Sequence, residues 1–137
     1  MSTTPVRTRL RFDRAEVTAA ADGQRRVRVV LTLGQLIFQA SAETASAEGS
    51  GPLKAAAEAA LEAVQGAAAN KFSCSLADLD HVKALGKDLI AVLVDIKSAN
   101  RKVQVFGSCQ IAGSDIDCAV KAVLNATNRM FELAMLD

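Results

Sequence analysis

The chain has no tryptophan, no tyrosine and only five phenylalanines. Side chains that stack on bases are therefore scarce, which speaks against a nucleic-acid partner. Two prolines in 137 residues, and no long polar tract, argue against a disordered chain. The three cysteines, Cys74, Cys109 and Cys118, are an odd number without Cys-x-x-Cys spacing. They argue against a disulfide framework, read as small buried hydrophobes, and lead us to expect a cytoplasmic location. One histidine, His81, and scattered thiols make no metal site. No apolar run reaches the ~18 residues of a membrane span. The opening Met-Ser-Thr-Thr-Pro has no apolar segment behind a basic start, so no secretory signal is read. Sixteen basic residues against fifteen acidic ones leave a net charge of +1, too even for a nucleic-acid coat.

What is present is pattern. Residues 6–17 alternate, with Val6, Thr8, Leu10 and Phe12 on one side and Arg7, Arg9, Arg11 and Asp13 on the other. A period of two predicts a half-buried strand. After the Asp22-Gly23 turn signal, residues 24–33 alternate again, with Val27, Val29, Leu31 and Leu33 as the inner set. A turn near Gly34-Gln35 leads to a third strand, about 36–45. Gly49-Ser50-Gly51-Pro52 then opens a helix, since proline is tolerated in a first turn. Leu53, Ala56, Ala57, Ala60, Leu61 and Val64 recur along it at helical spacing.

The second half repeats the order. A short strand is expected at 79–85, a second at 88–97, a third at 101–111, and a helix from a capping-box-like Ser114 and Asp117. From the second strand onward the halves align without gaps at an offset of 63, which pairs Val29 with Val92, Leu31 with Val94 and Leu61 with Leu124. The expected fold is α+β: one domain, 1–137, of two tandem βββα units (about 6–69 and 70–137). Each antiparallel three-stranded sheet is covered by one helix, and the units are related by a pseudo-twofold. The alanine-rich helix faces permit close approach to whatever lies against them.

Two stretches resemble the C-terminal regulatory domain of 2-isopropylmalate synthase and citramalate synthase. Gly49-Ser50-Gly51-Pro52-Leu53-Lys54-Ala55 looks like that family's Gly-x-Gly-Pro-Val-Asp-Ala segment. Asp115-Ile116, Ala119 and Leu124-Asn125-Ala126-Thr127-Asn128-Arg129 look like its second-helix pattern. The resemblance implies the doubled βββα plan, a homodimer, and a branched-chain amino acid bound at the subunit interface as a feedback inhibitor of leucine-type biosynthesis. There are departures: Lys54 replaces the family's usual aspartate, and Cys109 falls where a second glycine often follows Gly107. The family's catalytic, metal-bearing barrel has no counterpart here. Met1 opens directly onto the first strand, so a stand-alone domain is expected, with a partner enzyme possible.

The effector-binding candidates are Gly49, Ser50, Gly51 and Pro52 at one helix start and Gly113, Ser114, Asp115 and Ile116 at the other. The free N–H groups and positive dipole end of a first helical turn attract a carboxylate, and Asp115 suits an ammonium group. Ser114 and Asp115 also serve as plain caps. Arg7, Arg9, Arg11, Arg26 and Arg28 read as a solvated outer face neutralised by Asp13 and Glu16, with an acidic-partner patch as the sharper alternative. No catalytic residues, no metal ligands and no cofactor are expected, because no acid–base pair or activated nucleophile stands out. The expected function is a dimeric ligand-sensing domain. The alternative is a structural dimerisation or adaptor domain that has lost the pocket.

Overall fold

The computed structural model describes residues 9–45 and 50–135. The elements run β1 (Arg11–Ala19), a 3₁₀ turn (Ala21–Gly23), β2 (Arg25–Leu33), β3 (Leu36–Thr44), α1 (Gly51–Ala67), β4 (Ser73–Ala84), β5 (Lys87–Ser98), β6 (Arg101–Gln110) and α2 (Asp115–Met135). The strands make two antiparallel sheets, ordered β1-β2-β3 and β4-β5-β6. The α+β plan of two tandem βββα units is thus the observed one.

The alternation in the central strands does what it predicts. Val27, Val29 and Leu31 of β2 are fully buried, as are Ile90, Val92, Val94 and Ile96 of β5. Each such side chain, taken from water, stabilises by about 1.5–3 kcal/mol.

The first strands differ from expectation. β1 starts at Arg11, with buried Leu10 just before it, while Val6 and Thr8 lie outside the described residues. β4 is not a short strand from 79 but twelve residues from Ser73. The cause is a bulge in each. In β1 the register shifts between Phe12 and Arg14; in β4 it shifts between Leu76 and Asp78. The extra residue moves the inner set by one, from Phe12 to Ala15 and from Leu76 to Leu79, so no single period-two scan spans either strand. The two bulges sit opposite Leu31 and Val94, which are themselves 63 apart. That common irregularity is firmer evidence of the repeat than any residue identity.

The gapless alignment, however, fails in the third strands. Leu33 pairs with Leu36 beside the β2–β3 turn. Its counterpart Ile96 pairs with Val103, and the ladder continues through Lys97–Lys102 and Ser98–Arg101. The second hairpin is therefore four residues longer, and the path from the third strand to the helix, counted between equivalent residues (Ala40 to Pro52, Gly107 to Asp115), is four shorter. The two changes cancel at the helices, which restores the offset of 63 there.

Each helix packs on the second and third strands of its own sheet, on the other helix, and on the first strand of the other unit. This reciprocal exchange gives the pseudo-twofold. It also consumes the alanine faces: Ala55, Ala56, Ala57, Ala59, Ala60, Ala63 and Ala67 of α1 are all buried within one chain. The close approach they permit is therefore made inside the monomer. Beyond Asp115 in the first turn of α2, what remains exposed is one narrow i, i+4 stripe per helix: Lys54, Glu58, Glu62 and Gly66 on α1, and Lys121, Asn125, Arg129 and Leu133 on α2.

One local strain is open to test. Leu85 and Gly86 form the two-residue β4–β5 turn with φ of 53° and 75°. Glycine takes this left-handed region freely, whereas leucine does not, and Leu85 is fully exposed. Leu85→Asn should raise stability by about 1 kcal/mol in urea denaturation. A loss of stability would mean that the leucine side chain has a role its exposure does not suggest.

Candidate functional site

The two helix starts are built differently. At α1, Ser50 has helical backbone angles (φ −82°, ψ −7°) and its side chain makes no capping bond. Its carbonyl accepts from the Lys54 N–H at 2.9 Å. Pro52 has no N–H to cap, and no acidic residue lies in the first turn. Among the described residues nothing neutralises the positive end of this helix. Gly49 lies outside the described residues.

At α2, Gly113 turns the chain, and Ser114 Oγ accepts from the Asp117 N–H at 3.2 Å. Asp115 and Asp117 place two carboxylates in the first turn. The cap expected at Ser114 is present, and this end is already neutralised by its own residues. Ile116 is packed against the core, so it faces inward rather than toward a ligand. One start favours an anion and the other a cation, but four grooves walled by described residues lie elsewhere.

Two of these grooves are counterparts under the repeat. One, of about 560 Å³, lies between β1 and α2 and is lined by Arg9, Leu10, Arg11, Phe12, Lys121, Leu124, Asn125 and Asn128. The other, also about 560 Å³, lies between β4 and α1 and is lined by Cys74, Ser75, Leu76, Glu58, Leu61, Glu62 and Gln65. Strand residues correspond at an offset of 64 and helix residues at 63. Arg11 thus answers Ser75, Lys121 answers Glu58, Asn125 answers Glu62 and Asn128 answers Gln65.

Their chemistry is opposed. In the β4–α1 groove, Gln65 Oε1 accepts from the Cys74 N–H at 2.6 Å, and the wall carries two carboxylates. In the β1–α2 groove the wall carries three cations and no carboxylate. Lys121 Nζ stands 5.8 Å from the centre of the Phe12 ring. Asn125 Nδ2 donates to the Ser108 carbonyl at 2.7 Å. Asn128, 8% exposed, has a buried Oδ1 with no donor among the described residues.

The arginine face is redistributed. Arg7 lies outside the described residues, and Arg9 precedes β1 and lines the groove. The bulge brings Arg14 onto the outer face instead, beside Arg28 and Arg26. Glu16 accepts from Arg14 and from Arg28, both at 2.9 Å; Arg14 also bonds Asp13 at 2.6 Å, and Arg26 bonds Glu43 at 2.7 Å. The Arg14 hydrogen bond, then the Arg28 charge, hold the Glu16 carboxyl below its ordinary value. Asp13 and Glu16 neutralise this face as expected, and Val30 beneath the network is buried.

The corresponding face of the second sheet is open. Phe106 is 66% exposed and Val82 38%. With Ala91 and Leu93 they line a shallow apolar groove of about 240 Å³ edged by Asp78 and Asp80.

The Cys74 and Cys118 thiols are not activated. Burial pushes the Cys74 thiol up to about 12. Burial, and then the hydrogen bond and charge of Cys109, push Cys118 up to about 11. Both stay protonated at neutral pH. Cys118 Sγ donates to the Cys109 carbonyl at 3.0 Å, so these two residues are neighbours. His81 is exposed, 3.5 Å from Asp88. Among the described residues no cluster of three or more His, Cys, Asp or Glu side chains is placed to hold a metal. No helix among them is long and apolar enough to cross a membrane.

The sequence reading missed Lys121 and Asn128 as groove residues. The available signal was an amide at position 128, four residues after Leu124 and eight after Val120, in a helix face otherwise apolar. No family model matches the chain, and no curated protein matches it.

Proposed function

We propose that this chain is a regulatory-type binding module, similar in plan to the regulatory domain of 2-isopropylmalate synthase, and not an enzyme. It self-associates, and it takes a small branched-chain amino acid or related carboxylate at the interface between subunits. The observation that carries this reading is the open apolar face of the second sheet. Ion pairs cover the Arg14–Glu16–Arg28 part of its counterpart in the first sheet, where Ile37 is the exposed apolar side chain, whereas in the second sheet Phe106 and Val82 stand in water around one groove. A second copy of the chain covers such a face with the same apolar surface, as a twofold interface requires. The uncapped start of α1, with Gly51 and Lys54, supports an anionic group there, and Asp115 at the start of α2 supports an ammonium group.

Light scattering at micromolar concentration should give twice the 14.4 kDa chain mass. Phe106→Glu should return it to one chain with an unchanged circular dichroism spectrum. A wild-type monomer across the range would sink the reading. Leucine, isoleucine or valine should also raise the melting temperature, by about 2.7 kcal/mol of stabilisation at one hundred times Kd. Gly51→Val should abolish that shift.

The second reading is a structural adaptor without an effector. The start of α2 favours it, since Ser114 already caps that helix and Ile116 packs against the core. A dimer that no branched-chain amino acid stabilises would make it the better one.

A further inference from the structure

We propose that the groove between β1 and α2 binds a small organic polyanion, with two or more carboxylate or phosphate groups, that also carries a hydroxyl group. Three observations converge on it. Arg9, Arg11 and Lys121 line one groove with no carboxylate among them, and none of the three forms an ion pair with a described residue. Guanidinium groups recognise carboxylate and phosphate oxygens in pairs, and separated cations suit separated anionic groups better than one point charge. Phe12 and Leu124 give the groove an apolar wall for the carbon skeleton.

The third observation is Asn128. A buried amide oxygen without a donor costs free energy that a fold ordinarily avoids. The repeat shows how it is avoided: Gln65, one methylene longer, reaches a strand N–H at 2.6 Å. Asn128 stops short, and its Oδ1 has no donor among the described residues. A ligand hydroxyl is the missing donor. A buried polar group left unpaired until the ligand arrives is how a site discriminates for a hydroxyl over the analogue that lacks it.

The site is separate from the helix starts, and the test separates the two readings. Citrate and tricarballylate are the probes. Both carry three carboxylates, and only citrate carries a hydroxyl. Binding is followed by calorimetry and by melting temperature on the full chain, at an ionic strength fixed with sodium chloride because exposed charges are screened. Citrate should bind and raise the melting temperature. Tricarballylate should bind about tenfold more weakly, the ratio expected from one hydrogen bond to a buried acceptor. The double variant Arg9→Gln/Arg11→Gln, changed only at exposed positions, should fold normally and lose citrate binding. Asn128→Gln should melt higher than wild type without ligand, because the longer amide reaches the strand as Gln65 does, and should bind citrate about tenfold more weakly. Gly51→Val should leave citrate binding unchanged. Equal binding of citrate and tricarballylate, or citrate binding undiminished in the double arginine variant, would overturn the proposal. So would the absence of citrate binding at millimolar concentration.

Discussion

Gly107→Ala is expected to destabilise the fold by about 3 kcal/mol, near the top of the range for overpacking. Gly107 lies in β6 where α2 crosses it. A Cβ built there meets the Ala126 N at 2.6 Å and the Ala126 Cβ at 2.7 Å, and strikes the Ala122 carbonyl as well. Two of these three obstacles are helix backbone, which cannot turn aside as a flexible side chain can. Relief requires that α2 move off the sheet, and α2 also packs on α1 and β1. The strain therefore spreads to the interface between the units. Under the repeat this position corresponds to Ala40 in β3, where the first unit carries the methyl group that Gly107 lacks. Urea denaturation should show a lower midpoint with an unchanged slope. An unchanged midpoint would mean that the helix and the strand are not in tight contact. The resemblance had drawn attention to Gly107 only as the first of a glycine pair; its packing role is visible in the folded chain alone.

Phe131→Ala should cost about 3–5 kcal/mol. The ring is fully buried in the last turns of α2, in the shared core. This end of the helix is also tied to the start of the second unit, where Lys71 Nζ donates to the Ala134 carbonyl at 2.9 Å. Removing the ring leaves a void between elements that cannot collapse without shifting the helix. Native stabilities are only about 5–15 kcal/mol, so the variant should sit close to unfolding. Asn128 is one turn earlier on the same helix, so loosening this turn should also weaken anion binding in the β1–α2 groove. Hydrogen exchange separates the possibilities: loss of protection across both sheets marks a global effect. Loss confined to the last turn of α2 would show that Phe131 anchors only the helix end.

Several elements were legible because their patterns are local. The alternation of Val27, Val29 and Leu31 fixed the buried face of β2, and its counterpart did the same for β5. Ser114 announced a cap that is present. The order of elements announced the repeat. The first strands were less legible because a bulge resets the phase. Neither Asp13 nor Ala77 signals a bulge by its residue type, since the irregularity depends on which neighbour the strand pairs with. The helical spacing identifies the alanine-rich helices, but not what their small faces lie against. The partner is the rest of the same chain.

What the sequence by itself determined is therefore the content of each unit: which residues alternate, where the helices start, and that the plan occurs twice. Those properties follow from neighbours within one strand or one turn, where steric periodicity and backbone hydrogen bonding act over a few residues. The tertiary structure alone decided how the two copies diverge. It set the hairpin four residues longer in the second unit. It laid ion pairs over part of one sheet face and an apolar groove on the other, and it gave the paired grooves opposite charge. Those outcomes depend on side chains from separate segments meeting across the pseudo-twofold, as when Arg11 and Lys121 come to share one groove. No local pattern encodes such a meeting, because the distance along the chain has no fixed relation to the distance in space.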